Sequence, residues 1–276
     1  MFRQASTPRK RNLFTQAVDT LGSRIVGGDL KPGDTLPNEA ELGRELGASR
    51  TVVREAVKSL ASKGLLEPRT RTGTRVLESI HWNLLDLDVL GWRYAAMPRM
   101  QFFRELFEIR GMIEPPAAAL AAKRATDADV TAIAQAFDDM EAVDHESDAA
   151  IDADLRFHRA ILAAAHNDLL SQMGGLIGVG LLISFRISSR SYPVSLPLHR
   201  ELFEAIRDRR PAQAREVMER LLSGTREFLE QEMAGTAQEP SKSADRAALP
   251  RLAESTQSAF AGEQKCLPSS HEEGSA

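Results

Sequence analysis

Apolar residues recur at helical spacing through most of this chain, and breakers cut the pattern into pieces. Leu13, Ala17, Leu21, Ile25 and Val26 predict an amphipathic helix over residues 12–27. Gly27–Gly28 and Lys31–Pro32–Gly33 end it. A second helix starts at Asn38, a good N-cap, and runs to Leu46. Gly47–Ala48 predicts a tight turn. Ser49 caps a third helix that reaches about Lys63, with Val52, Val53, Ala56, Val57 and Leu60 as its apolar positions, and Gly64 stops it. Leu65–Arg69 and Gly73–Leu77 read as two short strands around a basic loop. Helix, helix, turn, helix, hairpin is the order of a winged helix-turn-helix.

The pattern changes after residue 78. Residues 79–98 hold both tryptophans, Trp82 and Trp92, and predict a linker packed onto the following domain. From Arg99 to about Gly235 nearly every stretch is helical, giving six or seven helices and no convincing strand. Boundaries are expected at Pro115–Pro116, Thr126–Asp127, Asn167–Asp168, Tyr192–Pro197 and Pro211. After Gly235 apolar periodicity fades, which predicts a disordered tail. The expected fold is therefore mainly α. A mobile basic arm (1–11) precedes an α+β winged helix-turn-helix (12–78), a linker (79–98), an all-α helical bundle (99–234) and the tail (235–276).

Charge sharpens this division. The 276 residues carry a net charge of −4. Residues 1–78 hold 14 Lys/Arg against 9 Asp/Glu, whereas the remainder holds 21 against 30. A basic end on an acidic chain suggests a nucleic-acid module joined to something else. Aromatics are sparse at 5%, as suits a helical protein. A lone cysteine, Cys266, cannot form an internal disulfide, so a reducing compartment is expected. No signal peptide is visible. The apolar stretch Met173–Phe185 is too short to span a bilayer and reads as a buried helix. The expectation is a cytoplasmic protein without a membrane partner.

The candidate nucleic-acid chemistry lies on the third helix. Arg50, Thr51 and Arg54 fall in its first turn and a half, and Arg50 and Arg54, four apart, share a face. Helices that enter the major groove present such N-terminal residues to base edges, where arginine grips guanine with two bonds. Arg44 on the preceding helix suits a backbone phosphate. Arg69 and Arg71 at the wing tip suit the minor groove or a phosphate, and Gly73 allows a close approach. The plainer alternative is a solvated basic face on an interaction module.

Further along, Asp154 and His158 stand at i and i+4, a spacing that can deliver two ligands to one metal. His199 could supply a third as it opens a helix over Leu198–Arg207. A surface ion pair is the alternative, and no nucleophile or general-base constellation accompanies these residues. His166 reads as a helix-end histidine beside Asn167. The glycines Gly174, Gly175, Gly178 and Gly180 lie mid-helix with no preceding strand, so they read as packing positions and not as a nucleotide loop.

Residues 12–78 resemble the N-terminal domain of the GntR-type bacterial regulators. The likeness is carried by Leu36-Pro37-x-Glu39, by Ser49-Arg50-Thr51-x-Val53-Arg54-Glu55-Ala56, by Gly64-Leu65-Leu66-Glu67 and by the Gly73-Thr74 wing. It implies operator contacts from Arg44, Arg50, Thr51, Arg54 and the Gly73 wing. Asn38 and Arg75 depart from the usual pattern, the first harmlessly and the second with a local change expected in the wing.

Residues 99–234 resemble the FCD effector domain of the FadR branch of that family. The matching stretches are Arg110-x-x-x-Glu114-Pro115, Asp154-x-x-Phe157-His158, Asn167 and His199-x-x-Leu202-x-x-Ala205-Ile206. The resemblance implies a divalent metal (Zn, Ni or Mn) on an aspartate and histidines. Asp154, His158 and His199 match three ligand positions, and Leu221 stands where a fourth histidine is implied. The segment Trp82-x-Leu-Leu-Asp-x-Asp-Val-Leu-x-Trp92 is more loosely similar to regulators of sugar-acid operons and implies a small hydroxy acid, such as an aldonate, as effector. Arg110, Arg186 and Arg226 are the candidate partners for its carboxylate, each expected to line the bundle interior. The expectation is a homodimeric, effector-responsive repressor that binds double-stranded operator DNA and is not an enzyme. The alternatives are a metal-dependent enzyme acting on a hydroxy acid and a constitutive DNA-binding module.

Overall fold

The computed structural model describes residues 12–69, 73–187 and 191–236. The proposed arm, the loop residue Arg71 and nearly all of the proposed tail lie outside them. The chain divides into two compact units, Met1–Met97 and Pro98–Ala276.

In the first unit α1 (Leu13–Val26) is capped by Asn12, whose side chain accepts from the Thr15 amide at 2.7 Å. Asn38 begins α2 (Glu39–Leu46) with a reciprocal capping box, its side chain accepting from the Glu41 amide and Glu41 accepting from its own. Gly47 then takes φ +62°, the left-handed turn that joins α2 to α3 (Arg50–Ser62). Ser49 caps α3. The wing is an antiparallel pair, β1 (Leu66–Arg69) and β2 (Gly73–Val76), in the register Leu66↔Val76 to Arg69↔Gly73. Leu21, Ile25, Leu42, Val53, Ala56, Leu60, Leu65 and Val76 form the core.

The tryptophan segment does not behave as predicted. A short 3-10 turn (Ser79–His81) leads to α4 (Leu87–Ala96), which belongs to the first unit and packs on α1. Trp92 is buried in the first unit's core, over Gly22. Lys63 ties the end of α3 to the start of α4 through Asp86 at 2.6 Å and Asp88 at 2.8 Å. A glycine in α1 gives no hydropathy signal, so the receiving surface for Trp92 is invisible in the pattern.

The second unit contains α5 (Arg99–Arg124), α6 (Asp127–Ala142), α7 (Asp148–Ala164), α8 (Asp168–Gln172), α9 (Gly174–Ile187), α10 (Ser191–Arg207) and α11 (Pro211–Thr236), with no strand among the described residues. Ala118, Ala121, Ile133, Phe137, Met140, Phe157, Ile161, Leu202, Ile206 and Met218 fill its centre. Thr126, Asn167 and Pro211 mark helix starts as expected. The boundary expected at Pro115–Pro116 is absent, and the one expected over Tyr192–Pro197 falls earlier, at the Ser191 start of α10. The α5 helix runs through Pro115–Pro116, and α10 through Pro197. Each proline removes one amide donor from a helix. For Pro115 and Pro116 the carbonyls left over are those of Gly111 and Met112, both on the exposed face where water can serve them. His199 is consequently a mid-helix residue. The window Asp168–Phe185 is apolar enough to cross a membrane, but it breaks at Met173 between α8 and α9 and is 56% buried. It is a core segment of this bundle.

Candidate DNA-reading face and effector pocket

On the first unit the α3 N-terminus leaves Arg50, Thr51 and Arg54 exposed while Val53, Ala56 and Leu60 face the core. Arg44 is exposed on α2. Arg54 is held by Glu39 through two parallel bonds of 2.9 Å, from Nε and from Nη2. This cross-helix pair lowers the Glu39 carboxyl below its ordinary range. Such a side-on grip leaves the outer edge of the guanidinium free. Arg69 pairs with Glu67 at 2.7 Å. Gly73 has φ +83°, and a Cβ there would meet Thr35 Cγ2 at 2.9 Å, so the wing needs glycine for both reasons. Arg75 bridges to Thr35 and its guanidinium lies over Gly33. The pairing of Glu39 with Arg54 was what sequence reasoning missed here.

In the second unit α5, α7, α9, α10 and α11 surround one cavity. Asp154 and His158 on α7 and His199 on α10 converge in it. Asp154 Oδ1 lies 3.4 Å from His158 Nε2 and 3.3 Å from His199 Nε2. His199 Nδ1 sits 2.9 Å from the Ser195 carbonyl, which can only accept, so Nδ1 carries a proton and Nε2 is the atom turned to Asp154. Asp154 Oδ1 and His199 Nε2 are buried without a hydrogen-bond partner.

Behind this cluster Arg110 and Glu114, both on α5, form a buried pair with Nε to Oε1 at 2.6 Å. The other Glu114 oxygen lies 2.5 Å from His158 Nδ1, although the contact lacks good hydrogen-bond alignment. Burial pushes the Glu114 carboxyl up, but the charges of Arg110 and His158 outweigh it and hold it at about 2. Burial pushes His158 down, and the Glu114 charge and the Asp154 bond outweigh that, raising it to about 9. Burial likewise opposes ionisation of Asp154, and the two histidines hold it well below the carboxylate range.

Arg110 is 2% exposed and its Nη1 has no partner. Its stem passes α9 at Gly180, where a Cβ would stand 3.0 Å from Arg110 Cδ. Gly180 of the α9 glycines therefore serves close packing. Leu221 lines the cavity and is 3% exposed. Arg226 is exposed and does not line the interior as expected. Its neighbour Thr225 lines the cavity, and one helical residue is a rotation of about 100°. Arg186 lies on α9, but its side chain is outside the described residues. His166 closes its helix at φ +46° and pairs with Asp129 at 2.8 Å.

Residues 13–76 match the model of the bacterial regulatory proteins of the gntR family, and residues 105–224 match the FCD domain. The chain is 36% identical to the galactonate operon transcriptional repressor of Escherichia coli, over 71% of this chain and 87% of that protein. It is 32% identical to the E. coli HTH-type transcriptional regulator YieP, over 71% and 86%. A solved structure of the Listeria monocytogenes regulator Lar shares the fold with a TM-score of 0.58 at 18% identity, over 81% of this chain and 99% of that one. Relatives of this kind are regulators and not enzymes, so the metalloenzyme alternative falls away. The chain belongs to the GntR family of bacterial regulatory proteins and is a ligand-responsive DNA-binding transcription regulator with an FCD domain as its second half.

Proposed function

We propose that this regulator is a homodimeric, cytoplasmic repressor released from its operator by a small hydroxy acid, of the aldonate class, bound in the cavity of the second unit. The observation that carries the proposal is Arg110. A fully buried guanidinium whose Nη1 lacks a partner is costly unless something anionic completes it. A carboxylate does so with matched geometry. Hydroxyls of Ser184, Ser195 and Thr225 line the same cavity and suit a polyol. The likeness to a galactonate operon repressor agrees with that chemistry.

Asp154, His158 and His199 would hold one divalent cation, Zn, Ni or Mn, beside this anchor. The fit rests on two buried, unpartnered donor atoms that point at one another's neighbourhood and on a mixed oxygen and nitrogen donor set. When bound, the cation would supply positive charge to a carboxylate or hydroxyl oxygen. Leu221 offers no ligand, so the remaining coordination is left to water or to the effector.

Arg50, Thr51 and Arg54 would read bases, with Arg44, Arg69, Arg71 and the Gly73 wing on the backbone or minor groove. Two such heads would read a short palindrome. The effector acts by binding the DNA-free arrangement of the dimer better than the DNA-bound one. An anisotropy titration on the protein's own promoter fragment tests this: added sugar acid is expected to release the DNA. Specific binding that no hydroxy acid alters refutes the effector assignment.

A further inference from the structure

Glu114 has no task in the reading above, yet it is 1% exposed and charged. Its two oxygens face different partners. Oε1 accepts from Arg110 Nε at 2.6 Å, and Oε2 lies 2.5 Å from His158 Nδ1. We infer that Glu114 is a positioning residue that fixes the proton of His158 on Nδ1, so that Nε2 is free to ligate, and that one carboxylate thereby joins the metal ligand to the effector anchor Arg110. The inference rests on the reading of Asp154, His158 and His199 as a cation site.

The chemistry of the carboxylate makes this specific. Each oxygen is an acceptor, so one carboxylate can face both neighbouring donors at once. A histidine ligand that donates its second N–H to a carboxylate is fixed in tautomer and ring orientation. His199 shows the same arrangement with a backbone carbonyl, through Nδ1 and Ser195. In each ring Nδ1 faces an oxygen, Glu114 Oε2 or the Ser195 carbonyl, and Nε2 turns to Asp154.

An amide at position 114 has one acceptor and can serve only one of the two donors. Arginine cannot give up its proton, whereas neutral histidine can move its own between nitrogens. In Glu114→Gln the amide oxygen therefore stays with Arg110 and the NH2 group faces His158 Nδ1. The histidine proton then moves to Nε2, the atom that faces Asp154 and His199, and blocks ligation. A merely structural Glu114, present to neutralise Arg110, makes no such demand on the tautomer.

The test measures zinc affinity of the full chain by competition with a chromophoric chelator, with far-UV circular dichroism confirming that each variant is folded. Glu114→Gln is expected to bind zinc roughly 10- to 100-fold more weakly than wild type. The double variant Arg110→Met, Glu114→Gln is expected to recover most of that loss, because the amide oxygen is then free to turn to Nδ1. In zinc-loaded wild type, 15N shifts are expected to show His158 protonated at Nδ1 and metal-bound at Nε2, a measurement that needs no variant to fold. Unchanged zinc affinity in Glu114→Gln, a double variant as weak as the single, or zinc on Nδ1 overturns the inference. A wild type that binds no zinc overturns the cation site itself, and the inference falls with it before any variant is made.

Discussion

Trp92 fills the space where a side chain at Gly22 would stand: a Cβ built on Gly22 would lie 2.4 Å from the tryptophan Cη2. Ten residues of α4 are fastened to α1 through this contact, and Lys63 fastens the same helix to the end of α3. Gly22→Ala is accordingly expected to destabilise the first unit by about 1–3 kcal/mol, the usual cost of overpacking. Urea denaturation followed by tryptophan fluorescence checks it. An unchanged midpoint means the ring can move aside and the contact is not a constraint. By the same argument a fragment ending at residue 97 should be clearly more stable than one ending at 78.

Arg50→Ala and Arg54→Ala are expected to lose discrimination between operator and random DNA, at about 1–3 kcal/mol for each base no longer gripped. Glu39→Ala removes the two bonds that hold Arg54 but leaves its charge. It should weaken specific binding less than Arg54→Ala and leave non-specific binding no weaker. Anisotropy at fixed salt, on specific and scrambled duplexes, separates the three. Equal specificity in both arginine variants would contradict the assignment of α3 as the reading helix.

Asp154→Ala and His199→Ala each remove one of the three converging side chains proposed to hold the cation. Metal content of the purified variants, measured by mass spectrometry, is expected to fall to background, and effector-driven release of DNA to weaken. Operator binding without effector should persist, because these residues belong to the other unit. Full metal content in either variant places the cation elsewhere.

Leu221→His is the converse experiment. It offers an imidazole where the cavity wall is now aliphatic. Metal affinity should rise while effector affinity drops, since the added ligand takes a coordination position left for the effector. Calorimetric titration of metal and then of hydroxy acid reads both. A variant in which both affinities rise together would show that the effector does not reach the cation.

The helix-turn-helix was legible because its determinants are local. Asn38 and Ser49 cap helices three residues from the amides they serve, and Gly47 supplies the left-handed turn between them. The Asp154–His158 pair was legible for the same reason, four residues on one helix. Residues whose role depends on a distant partner were not. Arg110 and Arg226 look alike in sequence, and only the first has a buried carboxylate to meet it. Glu39 and Glu114 stand in the matching motifs, but their pairing was not legible, because Arg54 lies fifteen residues from Glu39 and His158 lies on another helix from Glu114. Pro115–Pro116 suggested a break since a proline pair removes two donors, but the exposed face of α5 tolerates that loss.

Gly180 carries a consequence for how this regulator could change. A hydrogen where other residues carry a side chain is what lets the Arg110 stem pass. One added methyl would crowd that stem and shift the guanidinium it carries, while changing no polar group itself. In a genetic selection for alleles that stay silent in the presence of the inducer, position 180 should therefore appear among residues that touch no ligand at all. Its phenotype would be an operator held shut by a protein that still folds, still binds DNA and has become blind.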